Sequence, residues 1–190
     1  MRKIIAIIAG SLLLGSCNDP FKDQVFRAYD EKPVGEWLSG QPEFSMWVEM
    51  LRKVDLYNAM NLGASRFTCF VADNDAVQTY LREKTDYESI AEMPDDEVDF
   101  LLRYHIIDGF YSGYGELPVE AIFVLTLRRG EEGLMTMLTR KNPWMADAGA
   151  IIVNDTGTNG NSPMRKSVSC NIMPTNGVIH VFDSYCYYRK

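Results

Sequence analysis

The chain predicts an α+β fold, and two observations carry the prediction. Up to about residue 105 most apolar residues recur at helical spacing, whereas beyond it they alternate at period two and turn residues multiply. Helices grouped ahead of strands argue for segregated layers rather than an alternating βα sheet. No internal repeat is present, so one copy of one domain is the simplest organisation.

Order is expected to begin near Pro33, after a polar tether. Phe44, Trp47, Val48 and Leu51 fall at i, i+3, i+4 and i+7 and so share a helical face, and Pro42 suits a first helical position. Leu56, Ala59 and Met60 extend this reading until Gly63 stops it. Residues 67–71, rich in β-branched and aromatic side chains, read as a strand. Asp73 can cap a helix running to about Lys84 with Ala76, Val77, Tyr80 and Leu81 inward, and Asn74 and Asp75 are also expected to act in capping. Pro94 followed by Asp95, Asp96 and Glu97 starts another helix, because the acids face its positive end. That helix buries Val98, Leu101 and Leu102 and carries His105 on the same apolar face. Strands are then expected at 122–127, 134–139, 150–154, 166–171 and 178–188, with an exposed loop at 155–163.

The N-terminus has a different character. Arg2 and Lys3 precede an apolar run over residues 4–14, and small residues lead to Cys17, the layout of a secretory signal too short to span a membrane. Leu14-Gly15-Ser16-Cys17 resembles the lipobox of bacterial lipoproteins, cut before a cysteine whose thiol then carries diacylglycerol. The chain therefore divides into a signal peptide at 1–16, a tether at 17–32 and a domain at 33–190. Asn18 stands where an aspartate retains lipoproteins in the inner membrane of enteric bacteria, so the bacterial outer membrane is expected. No second apolar stretch approaches the roughly 20 residues of a membrane helix, so the lipid is the expected anchor.

Loss of Arg2 and Lys3 lowers the 19 basic residues to 17, against 26 acidic, for a net charge of −9. With Arg128-Arg129 and Arg140-Lys141 as isolated pairs and no basic stripe, nucleic acid is not an expected partner. Cys69, Cys170 and Cys186 remain, an odd number that allows at most one internal disulfide in three possible pairings. Their apolar neighbours favour buried thiols. No C-x-x-C exists and His105 and His180 lie 75 positions apart, so neither a metal nor a cofactor is expected.

Three segments resemble the fasciclin (FAS1) family. Phe67-Thr68-Cys69-Phe70-Val71-Ala72-Asp73-Asn74-Asp75-Ala76-Val77 is similar to its first motif, F-T-V-F-A-P-T-x-x-A-F. Tyr104-His105 matches its tyrosine-histidine pair, and residues 176–183 match its closing N-G-V-I-H-V-x-D. The resemblance covers about 33–188, departing at Cys69, Ala72 and Val77 and matching only loosely over 111–165. It implies a wedge of β-strands flanked by helices, used for adhesion or ligand binding, without a catalytic centre. It also marks Tyr104 and His105 as candidate binding residues, since that region is implicated in receptor binding in the family.

Residue chemistry points the same way. A nucleophilic site needs Ser or Cys beside a positioned base. The two histidines have structural explanations: His105 lies on an apolar helix face, and His180 alternates with Val178 and Phe182 along one side of a strand. Buried imidazoles of this kind tie elements together. The acids at 95–99 suit a helix start, and residues 154–161 match a calcium loop too poorly to count. Phe110, Tyr111 and Tyr114 surround glycines in a stretch expected to be a flexible loop, where Tyr111 and Tyr114 can present rings to a sugar or protein; Trp144 is a further candidate. The expected function is a lipid-anchored envelope domain, not an enzyme, that binds a protein or glycan for adhesion or surface capture. The alternative is a structural envelope protein associating with another membrane lipoprotein or transporter.

Overall fold

The computed structural model describes residues 31–114, 117–140, 149–155 and 162–187. The signal segment, Cys17, Trp144 and most of the loop expected after residue 155 lie outside the described residues.

A short helix, α1 (Val34–Ser39), opens the domain and buries Val34 and Leu38. A 3-10 turn at Pro42–Phe44 leads into α2 (Ser45–Lys53), so the helix expected from Pro42 begins as a tighter turn. Phe44, Trp47, Val48 and Leu51 are buried as their spacing requires. Asp55 adopts a left-handed conformation, φ 57°, which ends α2 and starts α3 (Leu56–Ala59). After β1 (Phe67–Ala72), α4 (Asn74–Lys84) buries Ala76, Val77, Tyr80 and Leu81. Its cap is Asp73, whose carboxylate accepts the Ala76 N–H at 2.8 Å. Asn74 and Asp75, expected to cap, are instead the first helical residues. Asn74 accepts the Met46 N–H at 3.0 Å and donates to the Pro42 carbonyl at 3.0 Å, fastening α4 to the start of α2. Helix α5 (Asp95–Tyr104) follows Pro94 and runs into β2 (Ile106–Asp108).

The remaining strands are β3 (Ile122–Leu125), β4 (Leu134–Arg140), β5 (Ala150–Val153), β6 (Arg165–Lys166), β7 (Ser169–Ile172) and β8 (Gly177–Phe182). They form two four-stranded sheets, ordered β2-β1-β8-β7 and β3-β4-β5-β6. The pair β1–β8 is parallel and central, with every residue of both strands buried. The strand expected at 166–171 is split because the chain changes sheets at Ser167. The Ser167 N–H donates to Ile151 of one sheet and the Val168 N–H to Val181 of the other, each at 2.8 Å. At the opposite flank the sheets meet again, through a bridge between Ile107 and Thr126 and the Leu127 N–H to the Ile106 carbonyl at 2.7 Å. The result is a wedge of two sheets joined along both flanks.

Alternation along β1 and β8 divides the core. Phe67, Cys69, Val71, Ile179 and Val181 face the helices, where they join Trp47, Leu51, Met60 and Leu101. Phe70 and Phe182 point the other way, into a second core with Met135, Met137, Ile151, Tyr104 and Tyr187. Regular pairing on β8 ends at Phe182, short of the expected 188. Beyond it the apolar residues are explained by packing: the Tyr185 ring meets Tyr80 at 5.3 Å and Tyr187 meets Tyr104 at 4.6 Å.

The Asn176-Gly177 pair shows why this local sequence folds as it does. The Asn176 side chain accepts the Val34 N–H at 2.8 Å and donates to the Met60 carbonyl at 2.8 Å, joining α1 and the end of α3 to the start of β8. A Cβ at position 177 would lie 2.6 Å from the Phe67 carbonyl oxygen. Only glycine lets β8 approach β1 there.

Candidate functional site

His105 terminates α5 inside the core. Its Nδ1 lies 2.8 Å from the Leu101 carbonyl, and its Nε2 lies 2.9 Å from the Cys186 N–H. A backbone N–H only donates and a carbonyl only accepts, so the proton sits on Nδ1. His180 carries the opposite tautomer: Nδ1 accepts the Asn171 N–H at 3.3 Å, and Nε2–H donates to the Tyr111 carbonyl at 2.9 Å. Burial lowers both imidazoles to about 4, against the opposing pull of the Leu101 and Tyr111 carbonyls respectively. Each ring is neutral near pH 7 with its lone pair occupied. The arrangement ties backbone together and leaves neither ring with a free lone pair.

Tyr104 is likewise interior, fully covered, with its hydroxyl shared between the Leu134 carbonyl and Asn154 Oδ1 at 3.3 and 3.2 Å. Burial pushes its phenol up to about 12. Neither Tyr104 nor His105 reaches the surface in this conformation, so neither ring presents itself to a ligand. Cys69 and Cys186 are buried free thiols pushed up to about 12 by burial, which makes them poor nucleophiles. Cys170 is half-buried, its Sγ 3.3 Å from the Gly149 carbonyl. Two open clefts on the helical side, about 330 and about 560 Å³, hold neither histidine nor cysteine. Among the described residues no group of His, Cys, Asp and Glu is placed to hold a metal.

The aromatic segment differs from its sequence expectation. Residues 109, 111 and 113 are hydrogen-bonded to the strands beneath them. The Thr68 hydroxyl donates to the Gly109 carbonyl at 2.7 Å and accepts the Tyr111 N–H at 3.0 Å, while Asn171 Oδ1 accepts the Gly113 N–H at 2.7 Å. Tyr111 and Tyr114 differ in exposure. Tyr111 is half-buried against the second core, whereas Tyr114 is 42% exposed. The Arg66 guanidinium lies over the Phe110 ring, 5.7 Å from its centre.

Two further residues stand out that sequence reasoning missed. Phe123 and Leu125 alternate on the outward face of β3, the edge strand of its sheet, and are 63% and 56% exposed. Val119 lies exposed just before them. The run Ile122-Phe123-Val124-Leu125 is apolar throughout, so its sequence alone does not distinguish the buried face from the exposed one.

The sequence model of the fasciclin domain family matches residues 42–186, and the chain belongs to that family. It is 27% identical over 157 residues to human periostin, covering 83% of this chain and 16% of periostin. In fold it is similar to a solved FAS1 domain pair from the insect cell adhesion molecule fasciclin I, with a TM-score of 0.60 and 18% identity across 81% of this chain and 50% of that one. The chain thus spans a minor part of periostin and half of the solved pair. The α+β expectation and the family resemblance both hold.

Proposed function

We propose that this chain is a cell-envelope FAS1 domain that binds a protein or glycan non-catalytically, for adhesion or surface capture. In this reading residues 1–16 are a signal peptide, 17–32 a tether and 33–190 the domain, with Cys17 carrying lipid at the bacterial outer membrane. The observation that carries the binding reading is the apolar surface of β3. Phe123 and Leu125 stand outward on an edge strand, where a soluble fold ordinarily places charge, and Tyr114 is a separate exposed ring. Occupied, neutral histidines and the shielded thiols of Cys69 and Cys186 support a role without chemistry. Similarity in fold to a cell adhesion molecule is consistent with it.

The test is a glycan array and a pull-down with the protein lacking residues 1–17, each repeated with Leu125→Lys and with Tyr114→Ala. Direct binding of a purified ligand, recovered chemically unchanged and weakened by either variant, is the expected outcome. A ligand recovered cleaved or modified by the protein alone would overturn the non-catalytic reading.

A further inference from the structure

Three interior side chains meet the segment 109–114 from below. Thr68 on β1, Asn171 on β7 and His180 on β8 are each at most 5% exposed. Together they make four hydrogen bonds to the backbone of residues 109, 111 and 113. The Asn171 N–H to His180 Nδ1 bond couples two of them, and Asn171 sits at φ 60° where the β7–β8 register is irregular. His180 is the titratable member of this set. A proton added at Nδ1 would leave the Nε2–H bond to Tyr111 in place but remove the lone pair that accepts the Asn171 N–H, setting two donors against each other and displacing Asn171, whose Oδ1 holds the Gly113 N–H. The elements packed on the ring contribute Phe70 from β1, Asn171 with its neighbour Cys170 from β7, and Tyr111 from the segment itself. None is a carboxylate, so no ion pair compensates the new charge.

We propose that Thr68, Asn171 and His180 are positioning residues that hold 109–114 as a rigid arm presenting Tyr114, and that protonation of His180 releases this arm before the domain as a whole unfolds. The device stands whatever the arm binds, because its operation is read from the arm itself. The arm would be fixed near pH 7 and freed in acid, changing the surface that the domain offers.

Amide hydrogen exchange on the uniformly ¹⁵N-labelled protein tests this directly. After correction for intrinsic exchange, the opening constants of the Tyr111 and Gly113 amides are expected to rise by up to about 80-fold between pH 6.5 and 4, following the lowering of His180 from 6.5 to about 4. The β1 and β8 amides should stay more protected at each pH. Imidazole ¹⁵N shifts should report the proton on Nε2 at pH 7. His180→Gln, which retains a donor toward the Tyr111 carbonyl but does not titrate, should abolish the pH response. Arm amides that open only together with β1, a proton found on Nδ1 at pH 7, or an unchanged response in His180→Gln would each overturn the proposal. If that variant does not fold, the wild-type exchange and tautomer measurements decide alone.

Discussion

His105 and His180 carry opposite tautomers because their backbone partners are reversed: Leu101 carbonyl at Nδ1 in one, Asn171 N–H at Nδ1 in the other. Replacing His105 with Ala removes both ends of a tie and leaves the Leu101 carbonyl and Cys186 N–H unsatisfied in the core. The expected loss is about 1–3 kcal/mol, read from urea unfolding at pH 7. Protonation gives a second expectation. Both imidazoles are lowered in the folded state, so between pH 6.5 and 4 the unfolded chain binds more protons and stability rises with pH. The contribution is complete above about 6.5 and is lost as pH falls through about 4, on the order of 3 kcal/mol for each histidine. Urea midpoints at pH 7, 5 and 4 check it; stability that stays flat across this range would show that the rings titrate normally. The interior position of both histidines was legible from helical and strand periodicity. Thr68 and Asn171 were not, because the amides they hold lie 43 and 58 positions away.

At the scale of elements, sequence resolved those with one apolar face. Helices α4 and α5 have clear start signals and an inward stripe, and both form as expected. Helix α1 has six residues and too few apolar positions to display a period. Strands β6 and β7 read as one because local pattern carries no record of which sheet a strand joins; Ser167 makes the change through tertiary hydrogen bonds. The most sensitive contact between elements is the β1–β8 pair at Gly177. In Gly177→Ala the new methyl would meet the Phe67 carbonyl oxygen at 2.6 Å and Val34 at 2.8 Å, so the central strands must separate. A loss of about 1–3 kcal/mol is expected, measured as a lowered urea midpoint, with β1 amide protection falling in parallel. An unchanged midpoint would show that this approach is relaxed in solution.

For the whole molecule, two sheets joined along both flanks enclose His105, His180, Cys69 and Cys186 and leave the outward side of β3 and the ring of Tyr114 exposed. The proposed attachment to a membrane is a separate property that would rest on Cys17. Cys17→Ala is expected to abolish metabolic lipid labelling and move the protein from the membrane to the soluble fraction. Full membrane retention of that variant with its signal peptide removed would refute lipid anchoring. The proposed recognition through exposed side chains that contribute little to the fold makes a prediction for the affinity of the purified domain toward its identified ligand. Leu125→Lys or Tyr114→Ala should weaken that affinity at least about tenfold, a loss of about 1.4 kcal/mol, with the urea midpoint nearly unchanged. Unaltered affinity in both folded variants would contradict it.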